Sequence, residues 1–205
     1  MRTPLEHELI FGFAGRRPGL LVRRFDRLAD PTGHTQPLAC EDACQVLGRW
    51  PADKYNVTAE QVVTALADRC PARAVALQVL YQQLCFAWLT GNGDVHAKNL
   101  SILATTDGEW RIAPAYDLPS TGPYGDTSAA LPMHGRTTGL SRRHLLQFAS
   151  DVGLPERAAI RVLDALLGNL AGLDNQILAG ALPYSAVTNK QLAKELRYRR
   201  KQAEG

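Results

Sequence analysis

The chain has 205 residues, of which 45% are apolar and 21% are charged, and its formal net charge at pH 7 is +3. This composition matches ordinary folded globular proteins and excludes an intrinsically disordered chain. A net charge this small gives no argument for direct binding to nucleic acid, and a chain of this length can bury a substantial core.

Two apolar runs flank a turn-forming stretch near the start of the chain, which predicts a β-hairpin over residues 7–26 with its turn at residues 14–19. A polar stretch at residues 29–37 follows it. Acidic residues then open a short helical segment that we expect to run over residues 40–47. The hairpin is too short to be a domain, so the body of the fold has to come after it.

Helical patterns follow in this body. Thr58 is placed to cap a helix over residues 58–69, and a second helix over residues 71–89 has so little polar surface that it should lie centrally. Later, a helix is predicted over residues 141–151, and a long one over residues 155–178.

Strand-like runs interrupt the helices between residues 100 and 114, where LSILA and WRIAP flank Asp107 and Gly108, so we predict a second hairpin. Residues 119–139 read as a long surface loop. The basic run at residues 190–201 reads as a solvated last helix or tail, with contact to an anionic partner as the alternative. The predicted class is α+β, mostly helical, with an embedded hairpin.

A dense group of polar residues, GNGDVHAKN at residues 91–99, lies between the central helix and this hairpin. Its glycines let the chain turn sharply off the helix, which leaves the polar side chains at the rim of the core. Phosphoryl transfer gives such residues a function. Asp94 can orient and deprotonate an acceptor hydroxyl, and Asn99, five residues later, can bind Mg²⁺ through its amide oxygen.

The second hairpin can bring a carboxylate to Asn99. If Asp107 and Gly108 form a two-residue turn, Asn99 lies opposite Tyr116, and Asp117 is the next residue. The sequence therefore predicts a magnesium site at Asn99 and Asp117, close to Asp94. A polar hydrogen-bonded loop and a metal-dependent hydrolase with the same ligands remain as alternatives.

GNGDVHAKN followed by APAYDL resembles the catalytic and metal-binding motifs of HipA-like toxin kinases. LLVRRFDR at residues 20–27 looks like the family's inter-lobe segment, and EDACQVLG and KYN look like the helix and loop after it. The resemblance covers residues 7–180. It implies a protein kinase-like C-lobe over residues 27–185, a remnant N-lobe hairpin and hinge start over residues 1–26, and a basic helix or tail over residues 186–205.

Residue by residue, the resemblance implies an ATP-dependent protein serine/threonine kinase in which Asp94 is the catalytic base and Asn99 and Asp117 are Mg²⁺ ligands. It also implies contacts to the nucleotide, by side chains or by the backbone of the hinge, from Arg23, Phe25, His96, Lys98 and Tyr116. Core packing is the alternative for the two aromatic residues, and a structural role is the alternative for the histidine.

Partners follow from the resemblance as well: a protein substrate, and a small helix-turn-helix antitoxin through which any contact with DNA would be indirect. Kinases also use a phosphate-covering loop and an N-lobe lysine, but no lysine precedes Lys54, and the early glycines fit no phosphate-loop pattern. We therefore expect a truncated kinase, which a separately encoded N-lobe chain would complete. The alternative is a non-catalytic, split or decayed kinase that binds nucleotide or antitoxin.

The remaining features concern location and metals. Four scattered cysteines, one of them in a strongly apolar stretch, favour a reducing cytoplasm. The start of the chain has no leader pattern and no apolar run is long enough to cross a bilayer, so we expect no export and no membrane contact. Cys40, Cys44 and His34 lack a second ligand pair at zinc-finger spacing, which disfavours a zinc site.

Overall fold

A computed structural model describes residues 7–10, 19–22, 24–29 and 31–205. Within these residues the fold is α+β, as predicted, with small antiparallel sheets beside a helical body. The strands are β1 His7–Ile10, β2 Gly19–Val22, β3 Arg27–Ala29, β4 Thr35–Pro37, β5 Cys40–Asp42, β6 Ser101–Ala104 and β7 Trp110–Ile112. The α-helices are α1 Ala43–Val46, α2 Ala59–Ala67, α3 Arg73–Leu89, α4 Arg142–Asp151, α5 Glu156–Asn169, α6 Leu173–Leu178 and α7 Ala186–Glu204.

The first hairpin is confirmed, because β1 pairs antiparallel with β2 in a register that joins His7 to Val22. Most of its predicted turn lies outside the described residues. A second hairpin, β3 with β4, follows directly. It was not predicted, because the residues of both strands are exposed and carry no alternation of apolar and polar side chains.

The prediction of a helix from residue 40 is wrong by three residues. Cys40–Asp42 is strand β5, which pairs with β6, and α1 begins after it. Asp42 is the N-cap: its carboxylate accepts a hydrogen bond from the Gln45 backbone N–H at 2.9 Å, and the Gln45 side chain accepts from the Asp42 N–H. The acidic residue that was expected to open the helix does so as its cap.

The core forms around α3, as predicted from its apolar sequence. Ten of its 17 residues are buried, and it packs against α2, α5, α7 and β7. Capping boxes begin α2 at Thr58 and α4 at Ser141, which confirms both predicted starts. The central helix therefore lies in the core, and the polar segment begins directly after its last turn.

The long helix predicted over residues 155–178 is two helices, α5 and α6. Gly172 adopts φ +79°, a left-handed conformation that ends one helix and redirects the chain into the next. The second helix packs against α7, where Ile177, Leu192 and Leu196 form part of a small separate apolar cluster. The basic last helix is therefore partly buried and is not simply a solvated surface helix.

The embedded hairpin is confirmed as β6 with β7, but its predicted two-residue turn is wrong. The loop holds three residues, 106–108, because the Thr105 N–H donates to the Glu109 carbonyl at 2.8 Å and Gly108 adopts φ +82°. Ile102 pairs with Ile112, so the register differs by one residue from the prediction. Continued along the chain, this register would place Ala115, and not Tyr116, opposite Asn99.

The structure also describes the length and apolar content of the helices and the state of the cysteines. No helix in the described part of the chain has both the length and the apolar content needed to cross a bilayer. All four cysteines are free thiols, and burial raises the pKa of the Cys85 thiol to about 12. That thiol therefore acts as a small apolar side chain in the core.

Candidate active site

The polar segment begins where α3 ends, and two glycines let it turn beside the 119–126 segment. Gly91 adopts φ +73°, and a Cβ there would lie 3.2 Å from the Ser120 hydroxyl oxygen. A Cβ on Gly93 would lie 2.5 Å from a carboxylate oxygen of Asp126. The two glycines are needed because side-chain atoms of the neighbouring segment lie where a Cβ would be, and because Gly91 has a positive φ.

Hydrogen bonds within the segment fix Asp94 relative to Asn99. The Asp94 N–H donates to the Asn92 side-chain oxygen at 2.7 Å. The His96 N–H donates both to the Asp94 carbonyl at 2.9 Å and to the Asn99 Oδ1 at 3.2 Å. One backbone amide therefore joins the two residues that the sequence placed in the site.

Asp117 reaches the same place from the far end of the hairpin. The Asn99 Nδ2 donates to the Asp117 Oδ2 at 2.7 Å, which confirms the predicted neighbourhood of these two side chains. Asn99 is buried and Asp117 is exposed. Asp117 has φ +52°, a left-handed conformation that costs a non-glycine residue roughly 1–3 kcal/mol and is often found at functional sites.

This pair fits the ligands of a small divalent cation. Mg²⁺ holds oxygen ligands at 2.0–2.1 Å in an octahedron, so neighbouring ligand oxygens lie about 2.9 Å apart. If the Asn99 side-chain amide flips about its Cβ–Cγ bond, its oxygen takes the present position of Nδ2, 2.7 Å from the Asp117 carboxylate. Among the described residues no three His, Cys, Asp or Glu side chains form a metal cluster, so a cation here would need water and phosphate ligands too.

His96 is buried beside this pair and contacts Lys54. The Lys54 Nζ lies 2.7 Å from the His96 Nε2, while the His96 Nδ1 is buried without a hydrogen-bond partner among the described residues. Burial lowers the pKa of His96, and the positive charge of Lys54 lowers it further. The ring is therefore neutral near pH 7, with Nε2 as the acceptor for the ammonium group.

Tyr55 contacts the predicted base directly. Its hydroxyl donates to the Asp94 Oδ1 at 2.5 Å, and its ring meets the His96 ring edge to face with centroids 5.0 Å apart. The hydrogen bond to Asp94, together with burial, raises the pKa of Tyr55 to about 12. The phenol therefore stays protonated near pH 7 and donates its hydrogen bond to the carboxylate.

Lys98 pairs with an acidic residue of the strand that precedes α1. Its ammonium group forms an ion pair with the Asp42 carboxylate at 2.8 Å, and this hydrogen bond raises the pKa of Lys98. The residue therefore links the polar segment to the N-cap of α1. A contact between Lys98 and a phosphate stays a prediction.

The aromatic residues named with the nucleotide contact each other. The Tyr116 hydroxyl donates to the Lys98 carbonyl at 2.8 Å and shares a short hydrogen bond with the Ser101 hydroxyl. Burial raises the pKa of Tyr116 to about 12, and its ring lies 5.5 Å from the Phe25 ring, centroid to centroid. Both rings are half-buried, and their contact with adenine stays a prediction. Arg23, predicted with them, lies outside the described residues.

Comparison with known proteins decides the family. The profile of the HipA-like C-terminal domain matches residues 4–172. The chain belongs to the HipA-like C-terminal domain family. It is 38% identical over 124 residues to "Putative kinase Y4mE" of Sinorhizobium fredii, which covers 58% of this chain and 29% of that protein.

Two further relatives come from Shewanella oneidensis. The chain is 32% identical over 166 residues to "Serine/threonine-protein kinase toxin HipA", covering 71% of this chain and 38% of that protein. Its fold is similar to a chain in the solved complex of HipA, HipB and operator DNA, with a TM-score of 0.77 at 24% identity, covering 98% of this chain and 51% of that chain. The chain thus spans less than two fifths of the length of the two curated relatives described here.

In this HipA-like domain, the last helix also joins the end of α3 to the long loop, a contact that the sequence did not predict. Arg199 of α7 is fully buried and donates to the Trp88 carbonyl at 2.7 Å and to the Thr127 carbonyl at 2.6 Å. Its guanidinium carbon lies 4.0 Å from the Trp88 ring centroid. Arg199 was not predicted as a buried residue because it lies in a basic run, which is typical of an exposed helix. The spacing of Leu192 and Leu196 is the sequence feature that indicates a helix packed on one face.

Proposed function

We propose that this chain carries the catalytic half of an Mg²⁺- and ATP-dependent protein serine/threonine kinase of the HipA toxin type. One observation carries the proposal: the amide of Asn99, which lies on the same segment as Asp94, is 2.7 Å from the Asp117 carboxylate. A candidate base close to two candidate cation ligands would supply parts that phosphoryl transfer uses. The kinase names of two relatives support the same reading.

In this proposal the three polar residues have separate tasks. Asp94 orients the acceptor hydroxyl of the protein substrate and takes its proton. Asn99 and Asp117 hold Mg²⁺, which would neutralise charge on the phosphates of ATP. The flip of the Asn99 amide would cost the His96 N–H its bond to Oδ1, but that N–H keeps the Asp94 carbonyl as acceptor.

The nucleotide would contact residues around this centre. We assign His96, Tyr116 and the backbone near Phe25 and Arg23 to the nucleotide, with Lys98 at a phosphate if it leaves Asp42. Lys54 is an additional candidate for a phosphate contact, because its ammonium lies 2.7 Å from the His96 Nε2 and 4.9 Å from the Tyr55 ring centroid. It would supply positive charge where transferred phosphate accumulates negative charge.

Partners are proposed on the same basis. One relative is named a kinase toxin, and the structural neighbour is a complex of HipA with HipB and operator DNA. We propose a protein substrate and a small helix-turn-helix antitoxin for this chain, with DNA contacted only through the antitoxin. A separately encoded chain would supply the phosphate loop and the N-lobe lysine. Co-purification with the product of a neighbouring reading frame tests both partners.

The function is tested with the purified chain combined with the separately encoded N-lobe chain, Mg-ATP labelled at the γ-phosphate, and a generic acceptor such as dephosphorylated casein. A kinase yields labelled protein, whereas a metal-dependent hydrolase yields free phosphate only. We expect labelled protein from the parent and none from Asp94→Asn. Free phosphate without labelled protein, lost in Asp117→Asn, would support the hydrolase and contradict the kinase.

A non-catalytic binding module is the second candidate. Two contacts favour it: Tyr55 engages the Asp94 carboxylate, and Asp42 neutralises Lys98, so neither group is free for catalysis in this structure. Such a module would bind nucleotide or antitoxin without transferring phosphate. Calorimetric titration with Mg-ATP that shows binding, in a preparation that labels no protein, supports this candidate.

A further inference from the structure

We infer that a cavity between the turn at residues 133–136 and the start of α4 is a binding site for the dianionic phosphate group of a small phosphate monoester. The cavity has a volume of about 440 Å³, within the range of roughly 300–1,000 Å³ found for small-molecule sites. It is lined by His134, Gly135, Arg136, Arg143, His144 and Gln147. None of these residues belongs to the candidate active site, so the inference does not depend on the proposed kinase activity.

Two arginines give the cavity its charge. Within the described residues, neither the Arg136 nor the Arg143 guanidinium group forms an ion pair or a hydrogen bond, and both residues are exposed. Like charges that line one cavity repel each other, and an anion bound between them would remove this repulsion. The arrangement therefore favours a negatively charged ligand.

A tight turn fixes the position of Arg136. Met133 and Arg136 exchange backbone hydrogen bonds at 2.9 and 3.0 Å, and the two residues between them, His134 and Gly135, have φ +47° and +70°. The His134 N–H also donates to the Glu60 carboxylate at 2.6 Å, which ties the turn to α2. Arg136 therefore extends from a backbone that is held on two sides.

The first turns of α4 form the other side of the cavity. Gln147 follows Arg143 by four residues and His144 by three, so the three side chains share one face of the helix. The start of a helix favours acidic residues, because its backbone N–H groups are partly positive, yet the first turn of α4 contains none. An arginine at this position is electrostatically unfavourable until an anion binds.

His144 adds a hydrogen-bond donor whose orientation the helix cap fixes. Its Nδ1 accepts a hydrogen bond from the Ser141 backbone N–H at 3.1 Å, so the proton of the neutral ring is on Nε2. Burial lowers the pKa of His144, and the charges of Arg136, His134 and Arg143 lower it further. The ring is therefore neutral near pH 7 and lies close enough to both arginines to bind the same ligand.

The charge and the donors match a phosphate monoester. Such a group carries about 1.5–2 negative charges at pH 7 and three acceptor oxygens, whereas each phosphate of a polynucleotide carries one charge. Guanidinium groups donate paired hydrogen bonds to phosphate oxygens. The nearby Asp151 carboxylate does not neutralise the arginines, because it contacts the His134 Nδ1 at 2.6 Å and the Gln147 side-chain amide at 3.2 Å.

The test measures binding of inorganic phosphate and of glycerophosphate to the full chain by calorimetry, at constant ionic strength and without Mg²⁺ or nucleotide. The variants are Arg136→Met, Arg143→Met and His144→Glu, the last of which keeps an acceptor for the Ser141 N–H. Arg161→Met, at an exposed position of α5, is the control because it changes the net charge equally. We expect both ligands to bind the three variants at least about tenfold more weakly than the parent and the control.

A second measurement locates the bound phosphate. The ring signals of His144, assigned from His144→Glu, should shift in an NMR titration with inorganic phosphate. Shifts of the His96 signals without shifts of the His144 signals would place the phosphate at the candidate active site and overturn the inference.

Stability without phosphate provides a control for the fold. In phosphate-free buffer, Arg136→Met and Arg143→Met should melt at or above the temperature of the parent, because each removes one of two like charges. Lower melting temperatures would show that the arginines have partners within the fold, which contradicts a site held ready for a ligand.

The remaining outcomes are as distinct. Equal binding of phosphate by the parent and the two arginine variants overturns the inference, and binding of inorganic phosphate without glycerophosphate overturns the assignment to a monoester. Duplex DNA that binds through the two arginines, with no competition from either phosphate ligand, would show that they contact a polynucleotide and would also overturn it. Phosphate binding that depends on both arginines supports the inference whether or not the chain proves to be a kinase.

Discussion

The buried amide of Asn99 donates to the exposed carboxylate of Asp117 across 18 residues of sequence, at 2.7 Å. The hairpin β6–β7 brings the two residues together, since they flank its open end. Asp94 is tied to Asn99 through the His96 N–H, so three separate polar groups share one corner of the fold. This arrangement is the basis of the predictions that follow.

Asp94→Asn should lower phosphoryl transfer at least about a hundredfold, because the amide cannot take the proton of the acceptor. Binding of Mg-ATP should change little, since the Asn99 and Asp117 pair is untouched. Labelled-phosphate transfer and calorimetry measure the two effects separately. Asp68→Asn, which alters an exposed ion pair with Arg73, is the control. Equal transfer rates in Asp94→Asn and the parent would remove Asp94 from the role of base.

Gly93→Ala should displace the segment that carries Asp94. The added Cβ would lie 2.5 Å from Asp126 Oδ2 and 2.8 Å from the Thr121 Oγ1, which accepts a hydrogen bond from the Gly93 N–H. Such crowding costs about 1–3 kcal/mol of unfolding free energy, measurable by urea denaturation.

Gly168→Ala is the control for that variant. Gly168 lies within α5, and a Cβ there meets nothing within 4 Å. Alanine favours helix over glycine, so this variant should gain roughly 0.5–1 kcal/mol. A Gly93→Ala protein as stable as the parent would show that the segment does not pack as closely as described.

Arg199→Met should destabilise the fold by about 2–4 kcal/mol, since it leaves the buried Trp88 carbonyl, the Thr127 carbonyl and the Glu195 carboxylate without this hydrogen-bond donor. Arg197→Met is the control, because Arg197 forms an exposed ion pair with Asp174 that should contribute about 1 kcal/mol or less. Urea denaturation compares the two. Similar losses for both variants would contradict the anchoring role of Arg199.

Stability should fall as the pH is lowered below the ordinary pKa of histidine, 6.5, because the folded state holds the pKa of His96 below that value. Between the two pKa values the unfolded chain binds the proton more readily, so acid favours unfolding until the folded pKa is passed. The pKa of His144 is lowered as well, mainly by burial, and adds to the same pH window.

Lys54→Met isolates the charge effect on His96. Removing the ammonium should raise the pKa of His96 in an NMR titration, because the Lys54 charge is one of the two causes that lower it. Lys190→Met, an exposed substitution on α7, should leave it unchanged. A His96 pKa that is the same in Lys54→Met and the parent would show that the contact does not form in solution.

Local patterns predicted much of the fold because they depend on neighbouring residues. The caps at Thr58 and Ser141 and the central position of α3 follow from side-chain type and spacing within single helices. The break at Gly172 was missed because apolar periodicity continues across it. The hairpin β3–β4 was missed because its exposed strands have no alternating pattern.

The site was predicted in part for the same reason. The predicted pairing of β6 with β7 placed Asp117 near Asn99, although its register was wrong by one residue. Both residues lie beyond the last pair of the two strands, where their side chains can still meet despite a shift of one residue. The Tyr55 contact with Asp94 and the Lys98 pair with Asp42 join residues 39 and 56 positions apart. No repeat or hairpin relates those positions, so the two contacts could be found only in the three-dimensional structure.

The most direct test of the account is calorimetric titration of ATP into the parent and into Asp117→Asn, each with Mg²⁺ and with excess EDTA, after thermal melting confirms that both fold. We predict that the parent binds ATP more tightly with Mg²⁺ than with EDTA, and that Asp117→Asn loses this difference. Equal stimulation by Mg²⁺ in both proteins would contradict the central claim that Asn99 and Asp117 hold the cation of a bound nucleotide.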